Sequence, residues 1–224
     1  MSRIFGSIGW VMSLAIIACL SMTGSAARAA FLTPTAVVAS SEGNSAAIHV
    51  IDSSGLTVNS AAGQHDNAPG AATMWTAGPA GLTATVDNQF LELDLGGNYD
   101  LTSAYVWQYN QQGLPGRQTK QFDFLVSTNP SGGFTPVVAD QDLILAQNST
   151  TPALISAQTF ALVANNVRRV RLELDTAWSG STDEFVGLSE VRFEGDVHVP
   201  EPTAATGLLL AGATMALRRR KQSH

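Results

Sequence analysis

Apolar and polar residues alternate with a period of two along four stretches of the chain, the pattern of strands that bury one face and wet the other. In Phe90–Leu95, Leu91, Leu93 and Leu95 share a face, and Glu92 and Asp94 take the opposite one. Phe122, Phe124 and Val126 oppose Asp123 and Leu125. Val170, Leu172 and Leu174 oppose Arg169, Arg171, Glu173 and Asp175, while Val191 and Phe193 oppose Glu190, Arg192 and Glu194. Turn-forming runs separate the stretches: Gly96-Gly97-Asn98, Asn129-Pro130-Ser131-Gly132-Gly133 and Trp178-Ser179-Gly180-Ser181. No long segment between residues 30 and 197 carries helical spacing. The expectation is an all-β fold, a two-layer antiparallel β-sandwich or jelly roll with its core between the layers.

Composition narrows the partners. The 224-residue chain is 45% hydrophobic and 13% charged, too apolar for a disordered polymer. Its formal charge of −6 hides an asymmetry. Residues 31–196 carry six Lys and Arg against seventeen Asp and Glu, net −11, while both ends are basic. A phosphate-binding surface needs the opposite sign, so nucleic acid is not an expected partner. Cys19 is the single cysteine, which leaves no internal disulfide and no cysteine metal cluster.

The two ends read as addresses. Residues 1–29 form a signal peptide: Arg3, the apolar run Ile4–Leu20, then small residues ending in Ala27-Arg28-Ala29, with cleavage by signal peptidase before Ala30. Ile16-Ile17-Ala18-Cys19 offers a lipobox as an alternative, and an uncleaved anchor is another. At the other end, Val199-Pro200-Glu201-Pro202 bars regular structure, because each proline lacks an N–H and restricts the residue before it. Thr203–Leu217 is uncharged and shorter than the ~20 residues a spanning helix needs, and Arg218-Arg219-Arg220-Lys221 follows at once. That basic cluster stays cytoplasmic, which places the residues before it across the inner membrane. Pro200-Glu201-Pro202, a short apolar helix and Arg218, Arg219 and Arg220, in this order over 198–221, resemble a PEP-CTERM sorting signal. The resemblance implies processing by an exosortase-type membrane peptidase and an exported envelope or matrix protein of a Gram-negative bacterium. An ordinary single-span anchor is the alternative.

Residues 30–197 then make one domain. Ile51-Asp52-Ser53-Ser54-Gly55-Leu56, Met74-Trp75, the run Phe90–Gly96 and Val106-Trp107-Gln108-Tyr109-Asn110 open a series of motifs. Arg117, Phe122–Ser127, Arg169-Val170-Arg171-Leu172 and Leu188-Ser189-Glu190-Val191-Arg192-Phe193 continue it. Together they resemble a discoidin (coagulation factor C-type) domain. The resemblance implies an eight-stranded galactose-binding-like jelly roll that binds glycans, lipids or protein surfaces. It departs from the usual pattern at Asp52-Ser53, where Asp-Gly is common, and in a longer stretch between Gly55 and Trp75. Bacterial relatives of this type often hold a structural calcium ion (Ca2+), and Asp52 and Glu190 match its carboxylate ligands. Calcium takes 6–8 hard oxygens, which two carboxylates and loop carbonyls can supply.

Candidate ligand-binding residues are aromatic and cationic. Tyr105, Trp107 and Tyr109 share one face of a strand, and aromatic rings stack on the apolar faces of sugars. Arg117, in the polar loop 110–117, can fork onto hydroxyls or a uronate carboxylate, and Trp178 sits in a Ser/Gly turn. A core position is the alternative for Tyr105 and Trp107, and Trp75 reads as core. His49, His65, His198 and His224 do not cluster; His65 reads as a solvated loop residue and His49 as a strand-edge residue. No Gly-x-Ser-x-Gly, His-Glu-x-x-His or Gly-x-x-x-x-Gly-Lys motif is present, and the pairs Asp140/Asp142 and Asp183/Glu184 read as solvated. The expected function is non-catalytic binding of polysaccharide or another envelope polymer, through Tyr109, Arg117, Trp178 and Trp107. A structural matrix or adhesion protein without glycan binding, and a polysaccharide hydrolase or lyase, are the rivals.

Overall fold

The computed structural model describes residues 29–67, 72–77, 85–146, 153–178 and 185–200, with 85–88 described by backbone alone. The signal peptide expected at 1–29 lies outside them except for its last residue. The sorting signal expected at 198–221 lies outside them from Glu201 onward. Among the described residues no helix is long and apolar enough to cross a membrane.

In chain order the strands are β1 (Ala30–Leu32), β2 (Ala36–Ala39), β3 (Gln64–His65), β4 (Trp75–Thr76), β5 (Thr85–Gln108), β6 (Thr119–Ser127), β7 (Thr135–Asp142), β8 (Ile155–Ser156), β9 (Gln158–Ala177) and β10 (Gly187–Val197). The architecture follows from one long antiparallel pair, β5 with β9, that bends at mid-length. Gln89–Asp94 of β5 pair with Leu174–Arg169 of β9; the register then slips, and Tyr99–Val106 pair with Val167–Gln158. Gly96 and Asn166 stand at the bend with φ of +78° and +56°, a region that glycine and asparagine enter at least cost. A Cβ on Gly96 would come within 2.7 Å of Thr35 Cγ2. The Asn98 side-chain amide donates to Asn166 Oδ1 at 2.8 Å, and the Asn166 backbone N–H donates to Asp100 Oδ1 at 2.7 Å, clasping the corner across both strands. Gly96-Gly97-Asn98, expected as a turn between strands, is therefore a corner inside one.

Folding the pair at this corner makes two layers. The first has the order β2-β5-β9-β6-β7 and uses the first half of β5. In the second, β10 pairs with the second half of β5 and carries β1 and β4 on its other edge. A small ribbon joins β3 to β8. The core lies between the layers as the alternation predicts. Leu91, Leu93, Phe122, Phe124, Val170 and Leu172 meet Ala104, Val106, Phe160, Leu162, Val191 and Phe193, all buried. Phe160 meets Phe122 edge-on at 5.2 Å between centroids. Trp75 is core, as expected, with its indole N–H on the Ser41 carbonyl.

The wet faces depart from expectation on one side only. On the first layer Glu92, Asp94, Arg169, Arg171 and Glu173 point outward and reach solvent. On the second layer Glu190 and Arg192, expected to be wetted, are 0% exposed. The segment from Val50 to Asn67 lies over them, with the Trp107 indole N–H donating to the Gly63 carbonyl at 3.0 Å. His65, expected in solvent, is buried in this cover, its Nδ1 3.0 Å from the Asp66 carbonyl and its Nε2 3.1 Å from that of Thr73. His49 lies in a 3-10 turn, Ala47–Val50, not at a strand edge.

Candidate functional site

At the end of the sandwich opposite the corner, the chain segments after β5, β7 and β9 come together. Buried or half-buried glutamines hold them. Gln108 Nε2 donates to the carbonyls of Thr119 (2.5 Å) and Ile144 (3.3 Å). Gln118 accepts from the Ala146 N–H and donates to the Ala146 carbonyl, and Gln158 does the same for Ile144 N–H and Asp142 carbonyl. Residues 143–146, just past β7, thus form a strap in which the backbone groups of Leu143, Ile144 and Ala146 are hydrogen-bonded, as a stretch without strand partners favours.

Trp178 follows the last residue of β9 and lies against this strap. Its backbone N–H donates to the Gln118 carbonyl at 2.9 Å and its indole N–H to the Leu143 carbonyl at 3.0 Å. Among the described residues it is the one aromatic in the exposed class, at 39%. Beside it lies a hollow of about 140 Å³ lined by Pro115, Gly116, Leu145 and Trp178. The Lys120 ammonium stands 5.5 Å from the indole centroid. Arg117, half-buried in the same loop, stacks its guanidinium on Phe185 at 4.4 Å. On the other side of the strap, sharing Leu145, is a larger groove of about 550 Å³ lined mainly by apolar residues such as Val106, Leu143, Ile144 and Leu154, with no charged group. The hollow offers an aromatic ring in an apolar lining with two cations at its margin, whereas the groove has polar side chains such as Gln108 and Gln158 but no ring.

The structure brings Trp178 and Arg117 to one end and removes the other two candidates. Trp107 is 0% exposed beneath the covering segment. Tyr109 is likewise fully buried, packed with Met74 and Leu114, its hydroxyl on Gln111 Oε1. Neither ring offers a face to a ligand, because loops beyond the strand fold back over both. Tyr105 is half-buried and donates to Glu194 Oε2 at 2.7 Å, a bond that, with burial, pushes its hydroxyl up to about 12. Sequence reasoning missed Lys120, Leu145 and the glutamine clamps. The one signal for Lys120 was its rarity as a cation in an acidic domain.

Asp52 and Glu190 were the expected calcium ligands. Asp52 accepts from the Ser54 backbone N–H at 2.8 Å and lies 3.1 Å from His49 Nδ1, and these contacts outweigh burial and hold its carboxyl below the usual range. Glu190 faces Arg192 in an ion pair. Burial pushes the Glu190 carboxyl up and the Arg192 guanidinium down, each against the attraction of the other. Arg192 Nη2 donates to the Ile51 carbonyl at 2.9 Å and to Ser53 Oγ at 2.8 Å; Nη1 donates to the Val191 carbonyl at 2.9 Å and, at 3.4 Å, to that of Val50. Glu190 and the loop oxygens face a guanidinium, and Asp52 is bonded to Ser54 and His49, so the residues as arranged do not fit the ion. Ser53, standing where the resemblance has glycine, takes φ of +65° and turns its hydroxyl to Arg192.

A separate acidic trio, Asp123, Asp140 and Asp175, gathers on the outer side of the first layer, its oxygens within 4.8 Å of one another. Burial, then repulsion from Asp123, Asp140 and Glu173, pushes Asp175 up to about 6.

The fold is an all-β sandwich like that of a family 32 carbohydrate-binding module. The sequence matches no family model and no curated protein. By structure the chain is similar to CBM32-3 from a family 31 glycoside hydrolase of Clostridium perfringens, with a TM-score of 0.51, 13% identity and coverage of 74% of this chain and 91% of that one. It is similar also to the family 32 module of C. perfringens NanJ, solved with galactose, at a TM-score of 0.47, 16% identity and coverage of 71% and 92%. A third is chitosan-binding module 1 of a chitosanase/glucanase from Paenibacillus sp. IK-5, at 0.47, 15% identity and coverage of 73% and 96%. At 13% identity the first likeness establishes the fold.

Proposed function

We propose that the chain is an exported, non-catalytic carbohydrate-binding protein of the cell envelope or extracellular matrix. In this reading residues 1–29 direct export, 30–197 bind polysaccharide, and the tail with Pro200-Glu201-Pro202 and Arg218, Arg219 and Arg220 is processed by an exosortase-type peptidase. The observation that carries the binding role is Trp178, an exposed ring fixed by two hydrogen bonds beside a shallow hollow. A ring held in place loses little freedom when a sugar stacks on it. Lys120, over the Trp178 ring, and Arg117, stacked on Phe185 in the neighbouring loop, are the cations at this end that would donate to hydroxyls or a uronate carboxylate. The fold shared with carbohydrate-binding modules supports the same reading.

Affinity electrophoresis against neutral and uronate-bearing polysaccharides tests it. Trp178→Ala is expected to weaken binding at least tenfold, about 1.4 kcal/mol, with the melting temperature lowered only by the lost bond to Leu143 and the chain still folded. Undiminished binding by Trp178→Ala refutes the site. Absence of binding to every polymer by the unaltered chain favours the structural matrix protein instead.

A further inference from the structure

A buried cation needs oxygens around it, and the outer face of the second layer supplies a set that suits a metal ion as readily as a guanidinium. The Val50 and Ile51 carbonyls, Ser53 Oγ, Asn59 Oδ1 and the Glu190 carboxylate all turn toward the side chain of Arg192. We infer that Arg192 is the resident cation of this cradle, a counter-charge attached to β10 itself that takes the place of a divalent ion, so that this face of the fold is held without calcium. The inference does not depend on what the chain binds.

Three features carry it. Arg192 is fully buried, and its nitrogens already donate to the carbonyls and hydroxyl that would otherwise face a metal. Glu190 is the carboxylate inside the cradle, and beside the ion pair its one further donor among the described residues is the Ser53 backbone N–H. Its charge is therefore answered by Arg192, and a buried charge without an answer is strongly unfavourable. Asp52, the second ligand a calcium ion would want, is engaged at the rim by Ser54 and His49. The departure at Ser53 belongs to the same arrangement, since glycine would shape the loop but bring no hydroxyl to the guanidinium. A divalent ion could enter only by driving out a buried side chain that answers the charges of Glu190 and Asp52.

Thermal melts of the full chain in excess EDTA and in millimolar CaCl2, with Glu190→Gln run in parallel, test the inference. The melting temperature of the unaltered chain is expected to be the same in both buffers. A calcium-dependent rise that Glu190→Gln retains also upholds it, because such an ion sits elsewhere, for example at the Asp123, Asp140 and Asp175 trio. A rise of several degrees that Glu190→Gln abolishes overturns it. Arg192→Ala opens the cradle while keeping its oxygens. If it folds, it is expected to gain a calcium-dependent rise that the unaltered chain lacks. If it does not fold, the melts of the unaltered chain decide the matter.

Discussion

On the outer face of the first layer, Glu92 pairs with Arg169 at 2.6 Å and with Arg171, which reaches on to Glu173 at 3.0 Å and stacks on Phe90 and Phe134. On the outer face of the second, Glu190 pairs with Arg192 under a cover of loop. Both arrangements come from the same alternating pattern, carboxylate and arginine at every second position of a strand. They differ in what lies above. Where solvent reaches the pair, each charge keeps part of its hydration and the pair contributes little. Where a loop excludes water, the charges depend on each other and on the carbonyls around them. Like patterns in sequence thus give a tolerant surface in one place and an intolerant buried cluster in the other.

The largest test of this contrast replaces one arginine on each face. Arg192→Met is expected to lower unfolding free energy by about 3–5 kcal/mol, because it strands a buried carboxylate. Arg171→Met is expected to lower it by less, about 1–2 kcal/mol, the sum of two part-exposed pairs and two ring contacts. Urea titrations of both variants read the difference, and equal losses would end the comparison. Adding Glu190→Leu to Arg192→Met is expected to restore most of the loss, since the stranded charge goes too.

A finer test uses Ser53. Its left-handed backbone costs about 1–3 kcal/mol relative to glycine, while its bond to a charged donor contributes about 1.5–3 kcal/mol. Ser53→Gly alone is therefore expected to move stability by less than about 1 kcal/mol. In the Arg192→Met background it is expected to stabilise, because only the strain remains to be relieved. The same shift in both backgrounds would remove Ser53 from the cradle.

The smallest effect belongs to the acidic trio. Asp175 titrates near 6 in the fold, above the unfolded value of about 3.9. Its charge is therefore tolerated less in the folded state, and the stability tied to its protonated form is lost as pH rises from about 4 to about 6. Asp175→Asn is expected to stabilise at pH 7 by about 0.5–1 kcal/mol after solvent screening, and to have no effect below pH 4. Melts across that range check both the sign and the window.

The core was legible because it depends on a local rule. Leu91, Leu93, Phe122, Phe124, Val170, Leu172, Val191 and Phe193 alternate with polar residues, and each lies in the core as read. The corner was half legible: Gly96-Gly97-Asn98 announced a change of direction, but whether the chain reverses or bends depends on Asn166, about seventy residues away, which clasps it. The proposed binding end was legible in Arg117 and Trp178, both in turn-rich sequence, and illegible at Tyr109 and Trp107, which are buried. Nothing in the pattern around those two says that Met74, Leu114 and Gly63 fold back over them.

What the sequence determined by itself was the strand pattern, the core face of each strand and the acidic character of the domain, all properties of residues and their near neighbours. Tertiary structure alone decided which polar faces stay wet, that Glu190 and Arg192 share one dry cradle, and that Trp178 is the exposed ring among the described residues. Those outcomes depend on which distant segment covers which face, and the strength of a charge pair depends on the water that such covering removes.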